Sequence, residues 1–309
     1  MNRRRFLAAG AVTGAAVTTL IGSASASAGT DPQASKSFKL KYAPHFGMFK
    51  HHAGGDPINQ LKFAADAGFS AWEDNGMMSK AAGLQEKIAK TMQDLKMTMG
   101  VFVAYSGFGK TEMVTKTSKE YQDYLRSSMK KAVECAKRVN AKWCTVVPAS
   151  VNMKIEYDYM MANCIENLKV MAEVCEPSGL VMVLEPLNWW ANHPGLFLRE
   201  IPQAYLICKS VGSPSCQILD DLYHQQISEG NLIANMDKAW DQIAYIQVGD
   251  NPGRKEPTTG EINYKNIFKY LYDKGFTGVV GMEHGNSQKG KEGELALIKA
   301  YRAVDDFQI

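Results

Sequence analysis

Four short apolar segments in the second half of the chain each present side chains with oxygen donors. VMVLE ends at Glu185, QILDD ends at Asp220 and Asp221, YIQV contains Gln247, and VVGME ends at Glu283. Carboxylate and amide oxygens form a hard ligand set, which suits Mg²⁺ or Mn²⁺ better than zinc or copper. Acids brought together without a cation would repel one another and shift their pKa values. The pattern therefore predicts a divalent-metal site if the fold brings these segments together.

The loop that follows Gln247 carries more polar function than a simple connection needs. Its sequence, GDNPGRKEPTTGE, is rich in the turn-forming residues Gly, Pro, Asn and Asp, so the apolar strand ends where the loop begins. The loop adds the Arg254 guanidinium and three carboxylates, Asp250, Glu256 and Glu261. Binding residues are disproportionately found on such loops, which favours a functional loop over a solvated surface loop.

The elements that would position these side chains alternate regularly from Phe38 onward. Eight short apolar runs are separated by longer stretches with helical spacing. This alternation indicates a parallel sheet covered by helices, and eight units favour an α/β fold of the (β/α)8 TIM-barrel type over a doubly wound sheet. No GxGxxG motif opens the first unit, which weakens a dinucleotide-binding alternative. The runs are Leu40–Ala43, Phe69–Trp72, Thr98–Val103, Trp143–Val147, Val181–Leu184, Gln217–Leu219, Ile243–Val248 and Val279–Met282.

Functional groups of a TIM barrel lie where the strands end and the loops begin, so the four segments would meet at one mouth. Other strand ends supply weaker candidates for lining the same pocket. His45 follows the first run, and Glu73 and Asp74 follow the second. Trp189 and Trp190 follow the fifth run, and one of two adjacent tryptophans on a loop would offer a flat apolar face that suits stacking on a sugar ring.

Residues 1–28 have the pattern of an export signal rather than of a folded element. An RRRFL motif precedes a mildly apolar stretch, Ala8–Gly22, and a small-residue ASA cleavage site. The apolar stretch is shorter and more polar than the roughly 20 apolar residues of a spanning helix. We therefore predict a twin-arginine signal peptide, a flexible mature N-terminus at 29–37 and one barrel domain at 38–309. The mature protein would be periplasmic or secreted, without a membrane anchor.

Charge and cysteine content restrict the partners further. The formal charge of +3 falls to 0 when residues 1–28, with three arginines and no acid, are removed (3 − 3 = 0). A neutral domain argues against nucleic acid or an anionic membrane as a partner. The six cysteines show no CxxC spacing, which disfavours structural zinc, and their apolar surroundings favour buried free thiols over disulfides. A homo-oligomer remains open.

The motifs around the four segments resemble a known family. LEPLN at Glu185, DLYHQQ at Asp221, IQVGDNPGRKEPTTGEINY at Gln247 and GMEHG at Glu283 are similar to the hydroxypyruvate isomerase branch of the xylose isomerase-like TIM barrels. That branch is close kin to the ketose 3-epimerases. The resemblance implies that Glu185, Asp221, Gln247 and Glu283 are the metal ligands. Asp221 is chosen over its neighbouring acid because it stands three residues before His224, as in the family's D-x-[YF]-H pattern.

The same resemblance implies two substrate-binding residues. His224 and Arg254 would hold substrate oxygens. A glutamine at position 247 matches the isomerase branch, whereas the epimerases place a histidine there. The resemblance begins near residue 40, is strong after Val181, and is most specific in the loop that follows Gln247.

The chemistry implied is a proton transfer next to a carbonyl group. Isomerising or epimerising a keto-acid or keto-sugar requires removal of a proton from carbon, and a divalent ion on the substrate oxygens stabilises the resulting enediolate. Glu185 and Glu283 come from opposite sides of the barrel and are predicted as the acid/base pair; the alternative is that both only ligate the metal. Export and the tandem tryptophans Trp189 and Trp190 favour a substrate larger than hydroxypyruvate.

Three other functions remain alternatives at this stage. The same proton abstraction followed by β-elimination would make a metal-assisted lyase or hydrolase of 3-keto-glycosides. A non-catalytic sugar-binding protein could keep the pocket, although all four metal-ligand positions are retained. A nucleic-acid repair enzyme of related fold is disfavoured by the neutral charge and by the presence of only six histidines, too few for a trinuclear zinc site.

Overall fold

The computed structural model describes residues 37–308. The predicted signal peptide at 1–28 and the segment 29–36 lie outside the described residues. The described part has nine strands. The strands are β1 Lys41–Ala43, β2 Ala71–Trp72, β3 Thr98–Met99, β4 Val103–Ser106, β5 Trp143–Val147, β6 Val181–Leu184, β7 Cys216–Asp221, β8 Ile243–Gln247 and β9 Val279–Gly281. Helices follow all of them except β3, which leads directly into β4.

Each of the eight stretches with helical spacing forms a helix, and three shorter helices are added to them. The additions, α1, α4 and α8, lie in loops whose sequences lack a long apolar period. The helices are α1 Lys50–Ala53, α2 Pro57–Asp66, α3 Ala82–Asp94, α4 Glu112–Thr115, α5 Lys119–Val139, α6 Tyr157–Cys175, α7 Ile201–Val211, α8 Leu222–Ser228, α9 Leu232–Ala239, α10 Tyr264–Asp273 and α11 Gly290–Asp305.

All strand pairs are parallel, which confirms the predicted α/β architecture. Seven strands form one sheet in the order β1-β9-β8-β7-β6-β5-β4, and β2 pairs with β3 in a second sheet. The two sheets are tied together at β1, because the backbone N–H of Glu73, just after β2, donates to Pro44 O at 3.0 Å. The carboxyl ends of all strands consequently open toward the same side.

The third predicted strand, Thr98–Val103, is divided into β3 and β4, and Gly100 stands in the gap. Its N–H donates to Trp72 O at 2.7 Å. A Cβ at this position would lie 2.3 Å from the Tyr245 hydroxyl oxygen and 3.1 Å from Trp72 O. Only glycine allows this approach, and the backbone bends around the Tyr245 side chain instead of continuing the ladder.

Two layers of apolar side chains hold the fold. A small cluster fills the barrel interior and includes Val183, Leu219 and Tyr245. A larger cluster fills the space between strands and helices, where α5 shows the typical pattern. Its apolar face is buried, Ser118 Oγ accepts from Tyr121 N at its first turn, and Asn140 ends it in the left-handed conformation. Each fully buried Leu or Met in such a layer contributes about 1.5–3 kcal/mol.

All six cysteines are buried and free, which confirms the predicted buried thiols. Burial raises the pKa of the Cys144 thiol well above its ordinary value, so this group stays protonated and unreactive. Among residues 37–308, none of the helices has both the length and the apolar character required to span a bilayer.

Candidate active site

The strand ends predicted to carry the chemistry do converge at the barrel mouth. Glu185 follows β6, Asp221 ends β7, Gln247 ends β8, and Glu283 lies just beyond β9. Asp221 pairs in register with Gln247, and Gln247 with Gly281, so these positions share one level of the barrel. The first three side chains are buried, and the Glu283 side chain is 24% exposed.

The Arg254 guanidinium joins two of these carboxylates. Its Nη2 lies 2.8 Å from Asp221 Oδ2 and 2.7 Å from Glu283 Oε2, while its Nε donates to Glu283 O at 3.0 Å. The backbone of Arg254 adopts the left-handed conformation at φ +51°, and the guanidinium also packs over the Tyr223 ring at 4.8 Å. The loop after β8 therefore returns to the mouth and brings the predicted substrate-binding arginine onto the acids.

Of the two adjacent acids at the end of β7, the structure places Asp221 in the mouth. Its Oδ1 accepts from Tyr223 N at 2.9 Å, so it also caps the N-terminus of α8. Asp220 alternates to the other side of the strand and makes no contact with Arg254. Burial, followed by the Asp221 and Glu229 carboxylates, raises the pKa of Asp220 to about 8.

His224 lies at the mouth, and hydrogen bonds from Asn188 to its Nδ1 fix the orientation of the ring. Its Nδ1 is approached by two donors of Asn188, the side-chain Nδ2 at 2.7 Å and the backbone N at 3.3 Å. The Asn188 amide cannot be reversed without loss, because its Oδ1 already accepts from the N–H groups of Ala191 and Asn192. Nδ1 is therefore the acceptor of the ring, and burial lowers the pKa of His224 to about 3, which keeps the imidazole neutral.

This arrangement decides what His224 can do. The ring nitrogen Nε2 must carry the proton, and it lies 3.5 Å from Asp221 Oδ2 and 4.0 Å from Glu185 Oε1. Ligand atoms of these three residues fall within 4.8 Å of one another, a spacing that would suit a metal ion. A protonated Nε2 is a hydrogen-bond donor and not a metal ligand, however, so the geometry fits the predicted role of holding a substrate oxygen.

The oxygen atoms of the other strand-end residues are suitable ligands for a hard cation. Gln247 Oε1 is buried and has no hydrogen-bond partner among the described residues, an uncommon state for a buried oxygen. It lies at the same level as Asp221, and Glu185 completes a set of two carboxylates and one amide oxygen on neighbouring strands. Oxygen donors of this kind suit Mg²⁺ or Mn²⁺. The predicted ligand set that adds Glu283 stays a prediction.

Three acids, Glu185, Asp221 and Glu283, lie at the mouth, and Arg254 contacts two of them. Burial, followed by the Glu283 and Asp221 carboxylates, raises the pKa of Glu185 well above its ordinary value. Burial also raises the pKa of Glu283 to about 7, although Arg254 opposes this shift. Arg254 alone does not neutralise the group, and a bound divalent ion would favour the ionised forms.

A cavity of about 470 Å³ opens beside Arg254 and Glu283. His45, Glu73 and Asp74, the weaker candidates from the sequence, all line it. Asn75 lines it as well, and its Nδ2 donates to Glu283 Oε1 at 2.9 Å. Sequence reasoning missed Asn75, for which the only signal was its position shortly after the second strand.

Three carboxylates of the loop after β8 accept hydrogen bonds from nearby protein groups that hold the loop in place. Asp250 is fully buried and accepts from the backbone N–H groups of Asn251, Gly260 and Ile262. Glu256 is buried and accepts from Ser287 N at 2.8 Å. Glu261 accepts from Asn251 and Gln226 at the surface. The interpretation of these three carboxylates as functional was therefore wrong, since local backbone N–H groups and surface amides use them.

The side of the mouth next to His224 is aromatic. The His193 ring lies 5.4 Å from the His224 ring and 5.1 Å from the Phe108 ring, measured between centroids, and Phe108 is 45% exposed. Trp189 is partly buried and donates from Nε1 to Leu196 O at 2.7 Å, whereas Trp190 is 75% exposed. Trp189 therefore packs against the fold and Trp190 does not, and the stacking of one tryptophan on a sugar ring stays a prediction.

Comparisons with known proteins agree with this architecture. The profile of the family described as xylose isomerase-like TIM barrel matches residues 61–303. Hydroxypyruvate isomerase of Escherichia coli is 30% identical over 181 residues, which are 59% of this chain and 69% of that protein. The 2-oxo-tetronate isomerase of Cupriavidus necator is 32% identical over 140 residues, which are 45% of this chain and 53% of that protein. The matched part thus spans about half the length of the second relative.

A solved structure is similar over most of the chain. AP endonuclease, family 2, from Brucella melitensis superimposes with a TM-score of 0.70 at 24% sequence identity, over 82% of this chain and 96% of that one. At this identity the likeness shows the fold alone.

Proposed function

We propose that this chain, which belongs to the xylose isomerase-like TIM barrel family, is a divalent-metal-dependent isomerase or epimerase of a small keto-acid or keto-sugar. The names of the two relatives, an isomerase of hydroxypyruvate and one of a 2-oxo-tetronate, support this substrate class. The observation that carries the proposal is the buried Gln247 Oε1, which has no partner and shares one level with Asp221.

In the proposed site, Glu185, Asp221, Gln247 and Glu283 would hold the cation, with Mg²⁺ or Mn²⁺ favoured by the oxygen donors. When bound, the cation would supply positive charge that stabilises the substrate's enediolate oxygens. His224 donates from Nε2 to a substrate oxygen, and Arg254 holds another. Arg254 lies close enough to Asp221 and Glu283 to serve both acids and substrate.

The proton transfer is assigned to the pair Glu185 and Glu283. One carboxylate removes the proton from the carbon next to the carbonyl, and the C–H electrons form the C=C bond of an enediolate as the carbonyl oxygen becomes negative. For isomerisation, the other carboxyl group returns a proton to the former carbonyl carbon, while the proton of the hydroxyl group on the first carbon moves to the former carbonyl oxygen. For epimerisation, the proton returns to the opposite face of the same carbon. Their raised pKa values are consistent with groups that both accept and return protons.

Solvent deuterium exchange tests this function. Chelator-treated protein and the same protein reloaded with Mn²⁺ are incubated in D₂O with hydroxypyruvate, a 2-oxo-tetronate, a ketose and a 3-keto-glycoside. We expect Mn²⁺-dependent incorporation of deuterium at a carbon next to the carbonyl of one of these substrates. Absence of exchange with all four would contradict the proposal and favour a non-catalytic sugar-binding protein.

A second candidate, a lyase or hydrolase of 3-keto-glycosides, is favoured by one observation. The rings of His193 and Phe108 continue outward from His224 and could pack against a second ring of a larger substrate. After proton abstraction, the enolate electrons would re-form the carbonyl and a C=C bond as the C–O bond breaks, and the other carboxyl group would protonate the leaving oxygen to release an alcohol. Appearance of free alcohol from the 3-keto-glycoside, with exchange, would identify this reaction.

Export by the twin-arginine route is also proposed, on the RRRFL motif alone. Cell fractionation of the full chain and of an Arg4→Lys, Arg5→Lys variant tests it, because loss of the arginine pair should keep the protein in the cytoplasm. Recovery of the unchanged protein in the cytoplasm would contradict export.

A further inference from the structure

The carboxyl group of Glu73 lies in the barrel interior, where the proposed reaction gives it no role. Glu73 is 1% exposed. Its Oε2 accepts from the Tyr245 hydroxyl at 3.0 Å, and its Oε1 and Oε2 lie 3.5 Å and 3.4 Å from Gln247 Nε2. Tyr245 and Gln247 are two residues apart on β8, so both side chains point to the interior. One carboxylate thus contacts two consecutive inward side chains of the strand.

Two glycines leave room for this arrangement. A Cβ at Gly281 would lie 2.1 Å from Glu73 Oε2 and 3.0 Å from Gln247 Cγ, and a Cβ at Gly100 would lie 2.3 Å from the Tyr245 hydroxyl. Val101 N approaches the Tyr245 oxygen at 3.4 Å, which leaves the hydroxyl proton for Glu73. The two glycines therefore leave space for Glu73 and Tyr245, and the Tyr245 hydroxyl is directed at the Glu73 carboxyl group.

The contact with Glu73 sets which end of the Gln247 amide faces the mouth. The amide nitrogen is directed at two carboxyl oxygens, which accept its hydrogens. The reversed amide would place Oε1 against the oxygens of the ionised Glu73, which have no proton to donate, so that lone pairs repel. In the observed orientation Oε1 is turned away from Glu73 and has no partner among the described side chains.

We propose that Glu73 is a positioning residue for the metal ligand Gln247, and that Tyr245 in turn fixes Glu73. The inference rests on the proposed function only in taking Gln247 Oε1 as a ligand of the divalent cation. Groups behind a metal ligand typically change metal affinity by about 10- to 100-fold when they are replaced. Replacing Glu73 by glutamine would remove the preference for one orientation of the Gln247 amide, because the new amide can either donate a hydrogen bond to Gln247 or accept one from it.

Mn²⁺ titration of the chelator-treated full chain measures this effect without reference to activity. We expect Glu73→Gln to weaken Mn²⁺ binding about 10- to 100-fold and Tyr245→Phe to weaken it by a smaller factor. Glu294→Gln is the matched control. Glu294 is also fully buried, but it accepts from His51 N and His52 N, away from Gln247, and its replacement should leave Mn²⁺ affinity unchanged.

A double-mutant cycle separates positioning from general loss of structure. In a Gln247→Ala background the ligand is gone, so adding Glu73→Gln should weaken Mn²⁺ binding no further. Equal weakening by Glu73→Gln in both backgrounds, or wild-type affinity in the single variant, would overturn the inference while leaving the proposed function intact. If Glu73→Gln does not fold, Tyr245→Phe decides in the same cycle. A wild-type chain that binds no Mn²⁺ would instead overturn the proposed metal dependence and this inference with it.

Discussion

The two glutamates assigned to proton transfer stand in different surroundings. Glu283 receives hydrogen bonds from Asn75 and Arg254, and its side chain is partly exposed. The Glu185 carboxylate is buried and receives no hydrogen bond from the described residues; its Oε1 lies 4.0 Å from His224 Nε2. Arg254 thus forms an ion pair with Glu283, whereas Glu185 has no ion pair with Arg254 within 4 Å.

This difference indicates how the two sides of the mouth depend on a cation. On the Glu283 side, Arg254 provides positive charge permanently, and burial still raises the pKa of Glu283 to about 7. On the Glu185 side, burial and neighbouring acids raise the pKa well above its ordinary value, and only the more distant Arg254 opposes the shift. We expect Glu185 to depend on the bound metal for its charge, and Glu283 to depend on Arg254.

The largest effect is expected from removing either carboxylate. Glu185→Gln and Glu283→Gln keep the side-chain shape but cannot accept a proton, so each should lower the deuterium exchange rate of the Mn²⁺-loaded protein about 10²- to 10⁴-fold. Asp220→Asn, next to the site but outside it, is the control. Exchange at the wild-type rate in both glutamate variants would remove the proton-transfer assignment.

Replacing Arg254 tests the Glu283 side specifically. Arg254→Gln removes charge-assisted hydrogen bonds to Asp221 and Glu283. Such bonds are worth about 1.5–3 kcal/mol, so kcat/KM should fall about 10- to 100-fold. Arg254→Lys should recover only part of the lost kcat/KM, because the lysine ammonium group lacks the planar, fixed N–H donors with which the guanidinium contacts two carboxylates at once. Arg126→Gln on the outer helix α5 should have no effect, and equal kcat/KM in Arg254→Gln and wild type would refute the role.

A smaller effect is expected from the residue that orients His224. Asn188→Ala removes a hydrogen bond to Nδ1 worth about 1 kcal/mol, so kcat/KM should fall several-fold. Asn188→Asp should lower it more, since an acceptor at this place favours a proton on Nδ1 and leaves Nε2 without one. Nitrogen NMR of the imidazole reports the tautomer directly, and an Nδ1–H form in the wild type would contradict the assigned donor role.

The smallest effect concerns the aromatic side next to His224. Phe108→Ala should raise KM for a 3-keto-glycoside about 2- to 10-fold, because ring packing contributes about 0.5–1.5 kcal/mol. KM for hydroxypyruvate should not change, since that molecule is too small to reach Phe108 from His224. Tyr124→Ala, an exposed aromatic on α5, serves as control. Equal effects of Phe108→Ala on both substrates would argue against a second ring at this side.

Seven of the eight predicted runs form single strands, because buried parallel strands leave continuous apolar runs in the sequence. The predicted resemblance to the hydroxypyruvate isomerase branch is confirmed by the two named isomerases. The division of the third strand was not predictable, since it depends on the approach of Tyr245 to Gly100, residues 145 positions apart in the chain. The sequence did not predict helix α8, because its residues belong to the DLYHQQ motif, which begins at Asp221, the last residue of β7.

The convergence of side chains at the mouth was predictable where one polar residue follows or ends an apolar run, as for Glu185 and Gln247, whereas the role of each residue stays a prediction. It was not predictable where a side chain is used by the fold itself. Asp250 and Glu256 have the residue types of a site but are used by nearby N–H and hydroxyl groups. Glu73 shows the opposite case, because its contact with Gln247 crosses the barrel and leaves no local pattern in the sequence.

The proposed function depends most directly on one divalent cation bound at the mouth, and metal analysis measures it. The full chain and its Asp221→Ala variant are expressed in medium with equal Mg²⁺, Mn²⁺ and Zn²⁺, purified without chelator, and analysed by mass spectrometry. We expect about one Mg²⁺ or Mn²⁺ per wild-type chain, as for oxygen-donor sites, and loss of that ion in the variant. Stoichiometric zinc, or wild-type protein without bound metal, would contradict the account.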